Sequence, residues 1–172
     1  VNSLEEALRN FDGKATTILT EIRATFGNEG SLLSDLVPLI AHSETQVSVG
    51  ATWLIKDLLD DNMRLTPSQI EDLVGHLHAA TSWQAQLHLC QSIRHIEIPE
   101  HLTTPCADWL MPLLQSDRPF LRAWSMDALQ HLASRNKKLR AAAGTALDAA
   151  EQDPAASVRA RARNCRKQAK RG

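Results

Sequence analysis

Seven histidines and three cysteines are the residues of this 172-residue chain best suited to metal or acid–base chemistry. His76 and His78 stand two apart, as do His88 and Cys90. On a helix, side chains two apart splay toward nearly opposite faces, so neither pair can converge on an ion. Neither H-E-x-x-H nor paired C-x-x-C occurs, and these are the spacings that place zinc ligands together. The seven glycines form no G-x-G-x-x-G or G-x-x-x-x-G-K-[ST] phosphate loop, and no serine sits in a G-x-S-x-G turn. The cysteines carry no local nucleophile signature. The expectation is a chain with no catalytic, metal or cofactor-binding residues: not an enzyme.

What remains is the chemistry of surfaces. Trp53 shares a helical side with Val49 and Lys56, opposite an apolar stripe of Val47, Ala51, Leu54 and Leu58. An indole held there without cover would be an anchor for a partner. Trp109 and Trp124 instead lie beside their apolar stripes and are expected to pack between helices. The segment "SVRARARNCRKQAKRG" carries Arg159, Arg161, Arg163, Arg166, Lys167, Lys170 and Arg171. Seven cations on one helix cannot all face a core. If Arg159 is structural, the other six make a patch that would attract phosphates or other polyanions in a salt-dependent way. No aromatic residue interleaves with them to stack a base.

The elements that must hold these residues are helices. Tyrosine is absent and aromatics total 4%, so Leu, Ile, Val and Ala must fill the core. Net charge is −1, but residues 118–172 hold 13 Lys and Arg against 4 Asp and Glu, whereas residues 1–117 hold 6 against 16. That polarity points to an acidic partner for the C-terminal part. No apolar run is long enough to span a membrane. The opening residues lack a basic-then-apolar leader pattern. Three cysteines without paired spacing fit a reducing compartment, and a cytoplasmic, monomeric protein is expected.

An internal period organises the chain. Leu36, Leu73, Leu110 and Leu147 recur every 37 residues. Pro38 and Pro112 stand at twice that interval in "LVPLI" and "LMPLL". Thr66-Pro67 and Thr104-Pro105 each read as an N-cap followed by proline at the first helical position. Leu121-Arg122-Ala123 matches Val158-Arg159-Ala160 at 37. The reading is four helical hairpins: 31–43 with 46–60, 66–80 with 82–97, 104–115 with 118–134, and 136–151 with 154–170. Ser3-Leu4-Glu5-Glu6 has capping-box spacing, and with "KATTILTEIRATF" it predicts two capping helices within residues 1–30. The hairpins then occupy about 31–62, 65–100, 103–135 and 136–171 of one continuous domain, 31–172.

These phrases resemble HEAT repeats. In that family a proline bends the first helix, and the second opens after an aspartate with a V-R-x-x-A-like segment. Pro112, Asp117, Leu121, Arg122 and Ser125 fill those slots in the third hairpin, and Asp153, Val158, Arg159 and Ala162 in the fourth. The first hairpin has Pro38 and Val47 but Ser48 in place of the arginine. The second has Gly75 and Ala85 in place of proline and arginine. The resemblance implies an all-α, right-handed superhelix in which Asp117, Arg122, Asp153 and Arg159 form a ladder between layers. It also implies a scaffold whose second helices line a concave surface for a protein partner. Val49, Trp53, Lys56, Gln91, Arg94, Asp127 and Gln130 are the expected contacts. The alternative is nucleic-acid binding through Arg161, Arg163, Arg166, Lys167, Lys170 and Arg171. HEAT-like DNA alkylation-repair glycosylases share this architecture, but their functional residues find no residue-by-residue match here.

Overall fold

The computed structural model describes residues 3–27 and 31–172, and every regular element among them is helical. Residues 1–2 and 28–30 of the expected N-terminal cap lie outside the described residues. The α-helices are α1 (Leu4–Arg9), α2 (Thr16–Phe26), α3 (Leu32–Leu36), α4 (Thr45–Asp60), α5 (Pro67–His76), α6 (Trp83–Ile93), α7 (Glu100–Leu113), α8 (Pro119–Arg135), α9 (Arg140–Glu151) and α10 (Ala156–Arg171). Short 3₁₀ segments follow α3 and α5 and precede α9. The chain divides into two compact units, residues 1–96 and 97–172, so the division falls near the end of the second predicted hairpin. Among the described residues, no helix is long and apolar enough to cross a membrane.

The repeat is visible as burial. Leu36, Leu73, Leu110 and Leu147 are all core residues, with at most 6% of their surface exposed. Each lies on the first helix of its hairpin, where a leucine covers the turn that packs on the second helix. Thr66 is the expected N-cap ahead of Pro67, and it forms a full capping box with Gln69: each side chain meets the other's backbone N–H. Ser3 likewise accepts from the Glu6 N–H.

Two expectations about proline need correction. Thr104 and Pro105 do not start a helix; α7 begins at Glu100 after Pro99 and runs through both. Leu102, Thr103, Cys106 and Ala107 form a continuous buried face there, while Pro105 points outward. Tertiary burial therefore outweighs the lost hydrogen bond. Pro38 does not bend an α-helix at its middle either. It sits where α3 tightens into the 3₁₀ segment Val37–Ala41. The second hairpin makes the same change at Leu77–Ala79 without a proline.

In the 1–96 unit α4 is the central element. Ten of its sixteen residues are buried, so it is enclosed on more than the single face its sequence suggested. It packs against α1 and α2, against the 3₁₀ segment Val37–Ala41, and against α6. Gly50 permits the approach of the N-terminal helices: a Cβ there would lie 2.8 Å from Leu8 Cδ2 and 3.2 Å from Leu19 Cδ2. Arg23 of α2 then binds Asp57 and Asp61 at the end of α4.

The 97–172 unit packs α8 between α7 on one side and α9 and α10 on the other. Ala123, Met126, Leu147, Ala150, Val158, Ala162 and Cys165 form its cluster, and Trp124 and Leu114 close the edge. All three cysteines are buried and none is joined in a disulfide. Burial pushes the Cys106 thiol up to about 12, which leaves almost no thiolate at neutral pH. Iodoacetamide is accordingly expected to leave Cys106 unmodified in the native protein at pH 7.5 and to label it on denaturation. Rapid native labelling, read by peptide mass spectrometry, would contradict that burial.

Candidate interaction surfaces

The repeated position that opens the second helix performs one job in three of the four hairpins, with two chemical groups. Ser48 donates through Oγ to the Ile40 carbonyl at 2.8 Å. Arg122, 74 residues later, donates through Nη1 to the Ser116 carbonyl at 2.9 Å. Arg159 donates through Nη1 to the Asp153 carbonyl at 2.6 Å and to Pro154 at 2.9 Å. Each ties its helix to the segment before it. Ala85, at the fourth equivalent position, has no polar group with which to do so.

Arg122 does more. Its Nε and Nη2 donate to the two carboxylate oxygens of Asp153 at 2.8 and 2.9 Å, a bidentate clamp between the third and fourth hairpins. Both side chains are mostly buried, 19% and 11% exposed. The clamp holds the Asp153 carboxyl below its usual range, and Asp153 also accepts from the Ala155 N–H ahead of α10. The expected ladder therefore has one bidentate rung here, Arg122 to Asp153. Asp117 adds field at Arg122.

The residues expected on a contact surface separate into two groups. In the 1–96 unit Val49 is only 4% exposed, so it is a packing residue and not a contact. Its helix is covered on several sides, which one-face periodicity did not foresee. Trp53 and Gln91 are half-buried, and Arg94 is exposed. Lys56 reaches Asp60 at 2.5 Å, and Asp60 also meets His95 Nε2 at 2.8 Å. Burial alone would raise the Asp60 carboxyl, but Lys56 and His95 outweigh it and hold it low.

Beside this network lies His88, whose spacing from Cys90 ruled out a shared metal ion and whose role is structural. His88 Nδ1 is 3.1 Å from Thr52 Oγ1, whose own hydrogen is directed to the Ser48 or Val49 carbonyl. The hydroxyl must then accept, so Nδ1 carries a proton. Desolvation, reinforced by the Lys56 charge, lowers His88 to about 4. The signal was present as His88 and Thr52 on facing helices, 36 residues apart, but periodicity alone does not reveal a cross-helix hydrogen bond.

In the 97–172 unit, Asp127 and Gln130 are also drawn inward. Asp127 is 8% exposed and lies 3.7 Å from Arg161 Nη1 and 3.6 Å from the Cys165 thiol, which donates to it. Gln130 Nε2 donates to the Ala143 carbonyl at 2.8 Å. Two of the six cations expected to meet polyanions are likewise committed. Arg161 lies 3.9 Å above the centre of the Trp124 ring, a cation–π contact. Arg166 binds Asp148 at 2.6 Å and also Glu151. The reason is helical geometry. At 100° per residue, Arg161 and Arg166 border the buried stripe Val158, Ala162 and Cys165 on its two sides, within reach of α8 and α9.

Arg163, Lys167 and Lys170 fall at i, i+4 and i+7 on the opposite side, with Arg159 one turn before them and Arg171 at the end. Arg163, Lys167, Lys170 and Arg171 are exposed, and no acidic residue occurs anywhere on α10. Neither a protein-family model nor a curated protein matches the chain. Among the described residues no group of three or more His, Cys, Asp or Glu is placed to hold a metal ion. A cleft of about 340 Å³ opens between the start of α7 and the end of α8. It mixes Arg135, Lys137 and Lys138 with Glu100 over Leu132, and Glu97 draws Arg135 aside at 3.0 Å. Its mixed charges select no one ligand sign.

Proposed function

We propose that the chain is a HEAT-like helical-repeat module whose work is binding, and that the outward face of α10 receives an acidic protein partner. The observation that carries this reading is the cation stripe Arg159, Arg163, Lys167 and Lys170, about 16 Å long at 1.5 Å per residue, on a helix without acids. The 37-residue recurrence of buried leucines and the Arg122–Asp153 rung support the repeat architecture. The superhelical arrangement and a scaffold role belong to the same proposal. So do Trp53, Gln91 and Arg94 as further contacts on the 1–96 unit.

Nucleic acid is the competing ligand, because the same stripe suits phosphates. Against it, the ring of Trp124 is already covered by Arg161 and is not offered to a base. Triple reversal of Arg163, Lys167 and Lys170 to glutamate separates the readings, with binding followed by fluorescence anisotropy. Poly-glutamate is expected to bind the native chain in a salt-sensitive way and to lose at least about tenfold in affinity with the triple variant. Folding should be unchanged by circular dichroism, since exposed charges contribute little to stability. Trp53→Ala should leave poly-glutamate binding intact. Duplex DNA bound far more tightly than poly-glutamate, with a salt slope reduced by about 2–3 in the triple variant, would favour the nucleic-acid reading instead.

A further inference from the structure

Arg122 and Arg159 are the same device, 37 residues apart. Both guanidiniums are anchored through Nη1 to a carbonyl six residues back, Ser116 for one and Asp153 for the other. In Arg122 the remaining fork, Nε and Nη2, clamps an aspartate that stands just before a second helix. In Arg159 that fork meets no hydrogen-bond acceptor among the described residues. The molecule thus displays a pre-oriented half of a bidentate pair and, at Arg122, a template of what completes it. The template asks for an aspartate in the loop that opens a helix.

Such an aspartate is present at Asp12. Its Oδ1 accepts from the N–H groups of Lys14 and Ala15, both at 2.8 Å, immediately before α2. Asp153 likewise uses Oδ1 to accept from the Ala155 N–H immediately before α10. Asp12 is exposed, and among the described residues no guanidinium hydrogen-bonds to it. Its loop holds the carboxylate fixed and ionised, the condition a bidentate arginine requires.

We propose that Arg159 of one molecule clamps Asp12 of a second copy, joining the chains by the kind of contact that Arg122 and Asp153 make within one chain. This rests on the reading of α10 as the contact surface and names its occupant. The charge distribution agrees: residues 118–172 carry 13 Lys and Arg against 4 acids, and residues 1–117 carry 16 acids against 6 bases. Arg163 and Lys167 extend the basic side beside Arg159, and exposed Glu6 and Glu21 add charge to α1 and α2. A single contact of this kind uses different patches on the two molecules and leaves one Asp12 and one Arg159 of the pair unengaged. It replaces the monomer expected from sequence.

Sedimentation velocity over a protein concentration series, in about 10 mM salt where charges act over ~30 Å, tests it. The native chain is expected to form dimers and longer species that disperse as salt is raised. Asp12→Arg and Arg159→Glu should each be monomeric alone, since each puts like charges in the contact. Mixed in equal amounts they should associate again, because every contact between unlike variants pairs a guanidinium with a carboxylate, the native Arg159–Asp12 pair or its charge-reversed counterpart. Arg159→Lys, which keeps charge but loses the fork, should weaken self-association about tenfold. Circular dichroism confirms that each variant is folded, and Asp12→Arg alone keeps the test sound if Arg159→Glu is not. A native chain monomeric throughout, variants that associate like it, or a mixture that stays monomeric would each overturn the proposal. If poly-glutamate still binds α10 in that sample, the contact surface stands and only its occupant is wrong.

Discussion

Arg122→Ala is expected to destabilise the 97–172 unit by about 2–4 kcal/mol, measured as a lower urea midpoint at unchanged slope. Truncation strands the Asp153 carboxylate in a site where only 11% of its side chain reaches water, and it also frees the Ser116 carbonyl. Residual exposure on both partners keeps the figure below that of a fully buried pair. Arg122→Lys should fall between alanine and native, because an ammonium cannot span both carboxylate oxygens. The double variant Arg122→Met with Asp153→Asn should recover part of the loss, since neither charge is then stranded and the amide oxygen can still accept from Ala155. Poly-glutamate binding through α10 should persist in every folded variant. A native urea midpoint in Arg122→Ala, with binding lost, would show the residue to be a contact and not a brace.

The second large effect is acid sensitivity in the 1–96 unit. His88 titrates near 4 in the folded protein against an ordinary value of 6.5, so the unfolded chain takes up a proton that the folded chain refuses. Stability is unaffected by His88 above about pH 6.5. It then falls as pH drops from about 6.5 to about 4, for a total of about 3 kcal/mol, and changes no further below that. His88→Gln, which can still donate to Thr52, should flatten this part of the profile. Urea titrations at pH 7.0 and 4.5 measure the difference, and an unchanged gap in His88→Gln would remove His88 as its cause. The depressed Asp153 carboxyl acts in a separate window. Its contribution is complete above its ordinary value near 4 and is lost as pH falls through its lower folded value.

The leucines at 37-residue spacing, the Thr66 N-cap and the arginine at the start of α8 were legible because each is a local or periodic property of the chain. A leucine recurring on the same helical face must be covered by the next helix, and a threonine just before a proline can cap the helix that follows. The pairing of Arg122 with Asp153 was legible only as a ladder of four residues. Which two would meet depended on how the third and fourth hairpins stack. Pro105 shows the limit of local signals: Thr-Pro is a good helix start, but a longer buried face carried α7 through it.

Sequence by itself determined that this chain is helical, repetitive and polarised in charge, because periodicity and composition act through nearest neighbours and through the helix repeat. Only the tertiary structure decided which polar residues remain available. Val49, Asp127, Gln130, Arg161 and Arg166 all carried the mark of a surface, yet each is covered or bonded by an adjacent helix. A side chain's position around its own helix follows from 3.6 residues per turn, but how many neighbours surround that helix does not. α4 is enclosed on several sides and α10 on one, and that difference leaves Arg163, Lys167 and Lys170 facing outward while Val49 is sealed inside.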